Sequence, residues 1–350
     1  MSATLGSLRN DVAIPGDGED TISRLTWSPA ANHLAAASWD GKVRIYDVNA
    51  SGSAHGVTAL TTDSPLFDCA WAKDGTTVVA AGASKKNHYL HLPSGQQGTF
   101  GSHDAPIRGV RFIDVPSSNE PIVVSGSWDK TVKYWDPRRP DTTPICSLEC
   151  KDRVYAMDAK SGLLVIGTAG RYIHLVDLRE PTKFLNVILS PLAYQTKQIT
   201  VFPDGKGWAT ASIEGRCAVN AVAENEQKTV NFTFRCHRDP MDTKKQIKIW
   251  AVNDFQWHPT RTSCFVTAGS DGIFSFWDRV KRSRLQHYPR VSGASKDPAA
   301  ITSVAFNADG SSLAYAVGYD WSRGCSGNSP TMETKIMLHS VSTRDSVYAR

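Results

Sequence analysis

A self-similar segment recurs along this chain and limits the fold more than any other feature. Each copy runs through a small residue, an Asp turn, alternating apolar residues and, in the best copies, a closing Asp. Ser38-Trp39-Asp40-Gly41-Lys42-Val43-Arg44-Ile45-Tyr46-Asp47 and Ser127-Trp128-Asp129-Lys130-Thr131-Val132-Lys133-Tyr134-Trp135-Asp136 are the clearest copies, with residues 270–278 a third. Four degraded copies occupy 83–92, 167–177, 212–222 and a split segment in which Gly318-Tyr319-Asp320-Trp321 leads, after an insertion, to 335–339. Each copy follows two more alternating runs around a turn, as in 66–71, Lys73-Asp74-Gly75 and 77–82. Alternation puts every second side chain on one face, so these runs read as short strands in hairpins. Asp47 to Asp136 spans 89 residues for two copies and Asp136 to Asp177 spans 41, the period of four-stranded propeller blades. The expected fold is all-β, a single ring of seven blades. The longer steps, 56 from Val222 to Asp278 and 61 from Asp278 to His339, place inserted loops in blades six and seven. Such loops lie on a propeller's rims, where partners bind.

A ring of sheets needs a latch. The alternating stretch Asp11-Val12-Ala13-Ile14 is expected to supply the outer strand of the last blade and tie the two ends together. That gives one domain over 11–343, with 1–10 and 344–350 as loosely held tails.

Composition narrows the class further. With 21% charged and 41% hydrophobic residues, the chain has enough apolar material for a large core. No apolar run reaches the length of a membrane-spanning helix. Residues 1–10 lack the apolar stretch of a signal peptide, which points to the reducing interior of the cell. Seven cysteines, an odd number at scattered positions, do not form a disulfide framework. Cys146 and Cys150 are the one close pair and have no second pair to complete a zinc site, so neither metal nor cofactor is expected. A net charge of +5 favours polyanions without assigning nucleic acid as the ligand.

His103, Asp129, Ser125 and Trp135 have the residue types of a hydrolase triad. In blades of this kind they staple strands instead: the turn Asp accepts from the His, the His meets the Ser, and the Ser receives the indole N–H. Asp40 and Asp271 occupy the same turn position. The chain has no phosphate-binding glycine loop, zinc-protease helix motif or nucleophile elbow, so a non-enzymatic role is expected. Blades five to seven hold the chemistry of a contact surface. Asn231-Phe232-Thr233-Phe234-Arg235-Cys236-His237-Arg238 alternates into a basic end, followed by a lysine-bearing insert. Trp257 and Trp277-Asp278-Arg279-Val280-Lys281-Arg282-Ser283-Arg284 are expected nearby. Aromatic residues interleaved with arginines suit anionic and apolar partners.

At these residues the chain resembles the nuclear-pore messenger-RNA-export WD40 family, whose paralogue is the mitotic-checkpoint propeller. The similarity rests on His103-Asp104-Ala105-Pro106-Ile107, Gly126-Ser127-Trp128-Asp129-Lys130-Thr131, Ser212-Ile213-Glu214-Gly215-Arg216, residues 231–238, Gly269-Ser270-Asp271-Gly272 and Tyr319-Asp320-Trp321-Ser322, and it spans nearly the whole chain. The Glu-Gly-Arg and Phe-x-Cys-His-Arg elements resemble both paralogues. The Asn-Phe-Thr-Phe and Tyr-Asp-Trp-Ser strings resemble the export branch. The resemblance implies a nuclear-pore scaffold that receives the acidic GLEBS segment of a Gly-Leu-Phe-Gly-repeat (GLFG) nucleoporin. It implies that Arg238, with His237 and Arg235, meets glutamates of that segment, and that Trp257, Trp277, Asp278, Arg279 and Arg282 form an adjoining surface for RNA and peptide. Checkpoint or spindle proteins are the alternative partners. Blade two departs from the family pattern, with residues 83–92 in place of a Cys-Asp-Lys-Thr turn and a Trp-Asp end. The chain has no RNP or GXXG string, so RNA contact is expected to be electrostatic and tolerant of sequence.

Overall fold

The computed structural model describes residues 5–16, 18–49, 52–115, 121–139, 143–291, 299–329 and 332–346. Seven four-stranded antiparallel sheets stand around a central channel, each running from an inner to an outer strand. Blade one is built from Ile22–Trp27, His33–Ser38, Lys42–Val48 and Ala54–Thr61, and blades two to six repeat the order. Blade seven has Ala300–Phe306, Ser312–Gly318 and Lys335–Ser340 from the C-terminal side and Val12–Ala13 as its outer strand. The register pairs Val12 with Leu338 and Ala13 with Met337, which is the expected latch.

Period-two alternation explains why the ring is solid. In the second strand of blade one, Ala35 and Ala37 face the core shared with blade two, while Leu34 and Ala36 face the core shared with blade seven. The same device gives seven apolar clusters, one between each pair of neighbouring blades. Strands buried on both faces need small or branched apolar side chains, and these strands have them. Carboxylates stitch the inner strands together. Asp68, Asp158 and Asp254, on blades two, four and six, accept the backbone N–H of Val110, Val201 and Val304 on the next blade at 3.0, 2.8 and 2.9 Å.

The latch is polar as well as apolar. Asp11 accepts from His339 Nδ1 and from the Tyr315 hydroxyl, both at 2.8 Å. The Tyr288 hydroxyl, 2.9 Å from His339 Nε2, donates to Asp345 at 2.6 Å. Contacts also reach into the segments expected as tails. Residues 1–4 and 347–350 lie outside the described residues, but Gly6 donates to His287 O at 2.7 Å, Leu8 packs on the core between blades six and seven, and Asp345 is buried. Blade two keeps all four strands although its motif has decayed, because its inter-blade faces remain apolar.

Antiparallel blades divide their turns between two rims. Turns between first and second strands and between third and fourth strands fall on one rim, here called lower. Turns between second and third strands, and links between blades, fall on the upper rim. The inserts appear as a helix, Glu224–Val230, before the outer strand of blade five, and as segments 238–251, 319–329 and 332–334 on the upper rim.

Candidate functional site

The residues with triad chemistry are structural. His103 Nδ1 lies 2.8 Å from Asp129, Nε2 lies 2.8 Å from the Ser125 hydroxyl, and the Trp135 indole N–H donates to that hydroxyl at 2.7 Å. Burial would raise the Asp129 carboxyl, but hydrogen bonds from His103 and Thr131 hold it well below the usual carboxylate range. Ser125 is fully buried with both neighbours engaged, which leaves no approach for a substrate carbonyl. Asp40 caps its own turn, accepting from Lys42 N at 3.0 Å and pairing with Arg44 at 2.7 Å.

Blade six repeats the relay, and this changes the place of two expected surface residues. His237 Nδ1 meets Asp271 at 2.9 Å and Nε2 meets the Thr267 hydroxyl at 3.0 Å, while the Trp277 indole donates to the same hydroxyl at 3.0 Å. Burial opposes charge on His237, yet Asp271 raises its pKa above the ordinary value. His237 is buried and cannot meet a partner directly. Trp277 packs on Phe234, with ring centroids 4.9 Å apart, as part of the frame. Trp257 is 3% exposed, wedged among Phe202, Phe255 and Phe265 in the core between blades five and six, so it offers no surface.

The remaining expected residues divide between opposite rims. On the lower rim, Asp278 caps the turn by accepting the N–H groups of Val280 and Lys281 at 2.8 and 3.0 Å. The Arg279 guanidinium lies 4.4 Å from the Phe202 ring centroid and 4.0 Å from Asp204. Arg282 donates to Thr229 O at 2.7 Å and lies 5.0 Å from the Phe232 ring. Arg238 is on the upper rim, where its guanidinium donates to the carbonyls of Glu214 at 2.8 Å and Gly215 at 3.5 Å. Partial burial, then the charges of Arg216 and Arg235, lower its pKa, so three guanidiniums crowd one patch. Arg235 is exposed on the outer strand, register-paired with Arg216. Arg216 itself leans on Glu214 at 3.6 Å.

The 238–251 insert lies beside this patch. Arg238 bridges to Ile249, and Asp239 receives both Arg290 and, at 3.3 Å, the Trp250 indole. Apolar side chains stand uncovered around the arginines: Ile213 is 40% exposed, Ile249 46% and Met241 61%. Ile213 occupies the turn slot that holds Trp39 in blade one and Trp128 in blade three. Those indoles belong to an arc over the channel mouth. Trp321 stacks on Trp39 at 4.4 Å, and Phe67 lies 5.4 Å from Trp39 and 5.7 Å from Trp128, which is 36% exposed. Trp39, Trp128 and Trp321 lie within the repeat strings and are not among the contact residues expected from the sequence. The available signal was a large aromatic at a turn tip, where strand alternation has ended and no inter-blade core can cover it.

Comparison with known proteins agrees with this architecture. The family model "WD domain, G-beta repeat" matches residues 12–47 and 94–136. Over 344 residues, 97% of this chain and 93% of the relative, the chain is 44% identical to "mRNA export factor GLE2" of Chaetomium thermophilum. It is 41% identical to "Poly(A)+ RNA export protein" of Schizosaccharomyces pombe, covering 97% of this chain and 93% of that protein. Similarity extends to "Mitotic checkpoint protein bub-3" of Caenorhabditis elegans, 33% identical over 92% of each chain. With two near-full-length relatives above 40% identity on one seven-bladed frame, the chain belongs to the mRNA-export family of WD40 propellers.

Proposed function

We propose that this chain is a non-enzymatic adaptor in mRNA export at the nuclear pore, binding the GLEBS segment of a GLFG nucleoporin on its upper rim and RNA through its lower-rim arginines. The observation that carries the reading is the Arg238 patch. Two carbonyls fix the guanidinium while Arg216 and Arg235 keep the surroundings positive. Ile213, Ile249 and Met241 flank it with uncovered apolar surface. An acidic, amphipathic segment fits both features, because its carboxylates replace water on arginines already held in place. Arg235 adds charge at the edge, while His237 acts only by fixing the chain that carries Arg238. RNA contact falls to Arg279 and Arg282, since Trp257 and Trp277 are occupied in the frame.

Calorimetric titration with a GLEBS peptide tests the reading. Arg238→Glu should lose at least about 100-fold in affinity, since it leaves partner carboxylates facing like charge. Circular dichroism and the melting temperature should match the unaltered protein. Equal binding by the folded variant would defeat the assignment. The similarity to a mitotic-checkpoint protein supports a second reading, a kinetochore scaffold. Accumulation at unattached kinetochores instead of the nuclear rim would favour it.

A further inference from the structure

The inner strands share an irregularity. In every one, pairing with the second strand skips a residue near the upper rim, as between Ile22 and Arg24, Ile107 and Gly109, and Thr196 and Gln198. The other four blades skip at the same place. A bulge re-aims its extra side chain. Six of the seven bulge residues, Ser23, Phe67, Arg108, Lys197, Asn253 and Thr302, line one recess of about 220 Å³ at the upper mouth of the channel.

Charges in this recess are unequally used. Its carboxylates are committed: Asp68 to Arg111 and two backbone N–H groups, Asp254 to Gln198, Ser303 and two backbone N–H groups, and Asp320 to Ser270 and Ser322 N. Arg24 and Arg111 sit between these acids, at 3.6 and 2.5 Å from Asp68. Among the described residues, Arg108 and Lys197 have no hydrogen bond and no ion pair within 4.0 Å. Burial lowers the pKa of both cations. For Lys197, Asp320 opposes that effect and Arg108 adds to it, so the two cations share one field. The buried indole nitrogen of Trp321 also lacks a partner. Trp321 holds a left-handed backbone, φ 59°, while stacked on Trp39 as the roof of the recess. Backbone strain of this kind gathers at binding sites.

We infer that the recess is a second anchor for the upper-rim partner, in which Arg108 and Lys197 take the carboxylate of a Glu or Asp side chain beneath the aromatic arc. The inference rests on the docking proposed above. Three things select this ligand. The idle groups are two cations and an indole N–H against a single acceptor, Asn253 Oδ1, a balance that calls for an anion. The lining carries four cations, Arg24, Arg108, Arg111 and Lys197, against three carboxylates, Asp68, Asp254 and Asp320, and this small positive excess suits a carboxylate better than a phosphate dianion. The recess also opens onto the rim that carries Ile213 and Arg238, so one extended segment can reach both. The Trp39, Phe67, Trp128 and Trp321 rings would then cover its apolar neighbours and exclude water, which strengthens the buried pair.

The test uses the full chain and a synthetic GLEBS peptide, together with variants of that peptide in which each acidic residue is singly changed to Gln. Lys197→Met and Arg108→Met should each weaken binding at least about 30-fold. One peptide Glu→Gln or Asp→Gln change should cost much less in Lys197→Met than in the unaltered protein, identifying the carboxylate that sits there. Free Lys197→Met should melt at or above the unaltered protein, because an unpaired cation has been removed. A fall of several degrees would show the lysine to be structural and overturn the inference. Unchanged affinity in both variants, with Arg238→Glu still defective, would overturn the second anchor and leave the docking reading standing. Failure of the unaltered protein to bind the peptide would overturn both. Loss of single-stranded RNA binding without loss of peptide binding in Lys197→Met would reassign the recess and overturn this inference.

Discussion

The two rims of this propeller carry similar residue types with different commitments. On the lower rim, Arg279 and Arg282 lie over Phe202 and Phe232, and Arg282 also donates to a backbone carbonyl. These arginines cover apolar surface with their own stems and keep part of each guanidinium for a passing anion. On the upper rim, Arg238 is fixed by two carbonyls beside uncovered isoleucines, and Arg108 and Lys197 have no partner among the described residues. The first arrangement suits weak, sequence-tolerant attraction to a polyanion. The second is preorganised for carboxylates on a shaped partner, which gives more affinity per contact because ordering has already been done. Charge alone does not separate these roles, whereas its commitments do.

The largest expected effect lies at Trp277. If it belongs to the frame, as its bond to Thr267 and its packing on Phe234 indicate, Trp277→Ala should cost about 3 kcal/mol of stability. Chemical denaturation would read that loss, with peptide affinity of the folded fraction nearly unchanged. Affinity lost at unaltered stability would instead return Trp277 to a contact surface. A smaller effect sharpens the division between rims. Arg279→Glu combined with Arg282→Glu should reduce single-stranded RNA binding several-fold and lower the slope of log affinity against log salt by about 1 to 2, with peptide binding untouched. RNA affinity that is flat between low and moderate salt, or a peptide defect in the double variant, would remove the distinction.

Much of the fold was legible because alternation and spacing are local signals. The 41-residue step, the turn Asp and the Asp11-Val12-Ala13-Ile14 latch depend on short patterns that tertiary context did not override. The His103 relay could be read from residue types, since each group needs a buried partner and the repeat supplies one. Its counterpart at His237 was hidden by the 238–251 insert, which lengthens the step from His to turn Asp and makes residues 231–238 look like one exposed basic strip. Trp257 had a usable signal: it ends its inner strand where Trp27 and Trp71 end theirs, and those side chains are core. The basic residues 279–284 were expected beside Arg238 because blade order brings them close around the ring. Which rim each side chain faces depends on the parity of strands and turns, and parity places them on opposite sides. The recess could not be read from one strand. A bulge is defined by its pairing partner, and the convergence of six bulge residues requires the closed ring.

An acidic partner lying across the upper rim should register in amide hydrogen exchange of the full chain measured with and without the GLEBS peptide. Added protection at 213–216 and 238–250, with 279–284 unchanged, is the predicted result. Protection confined to 279–284, with the Arg238 segment exchanging as in the free protein, would rule out docking on the upper rim.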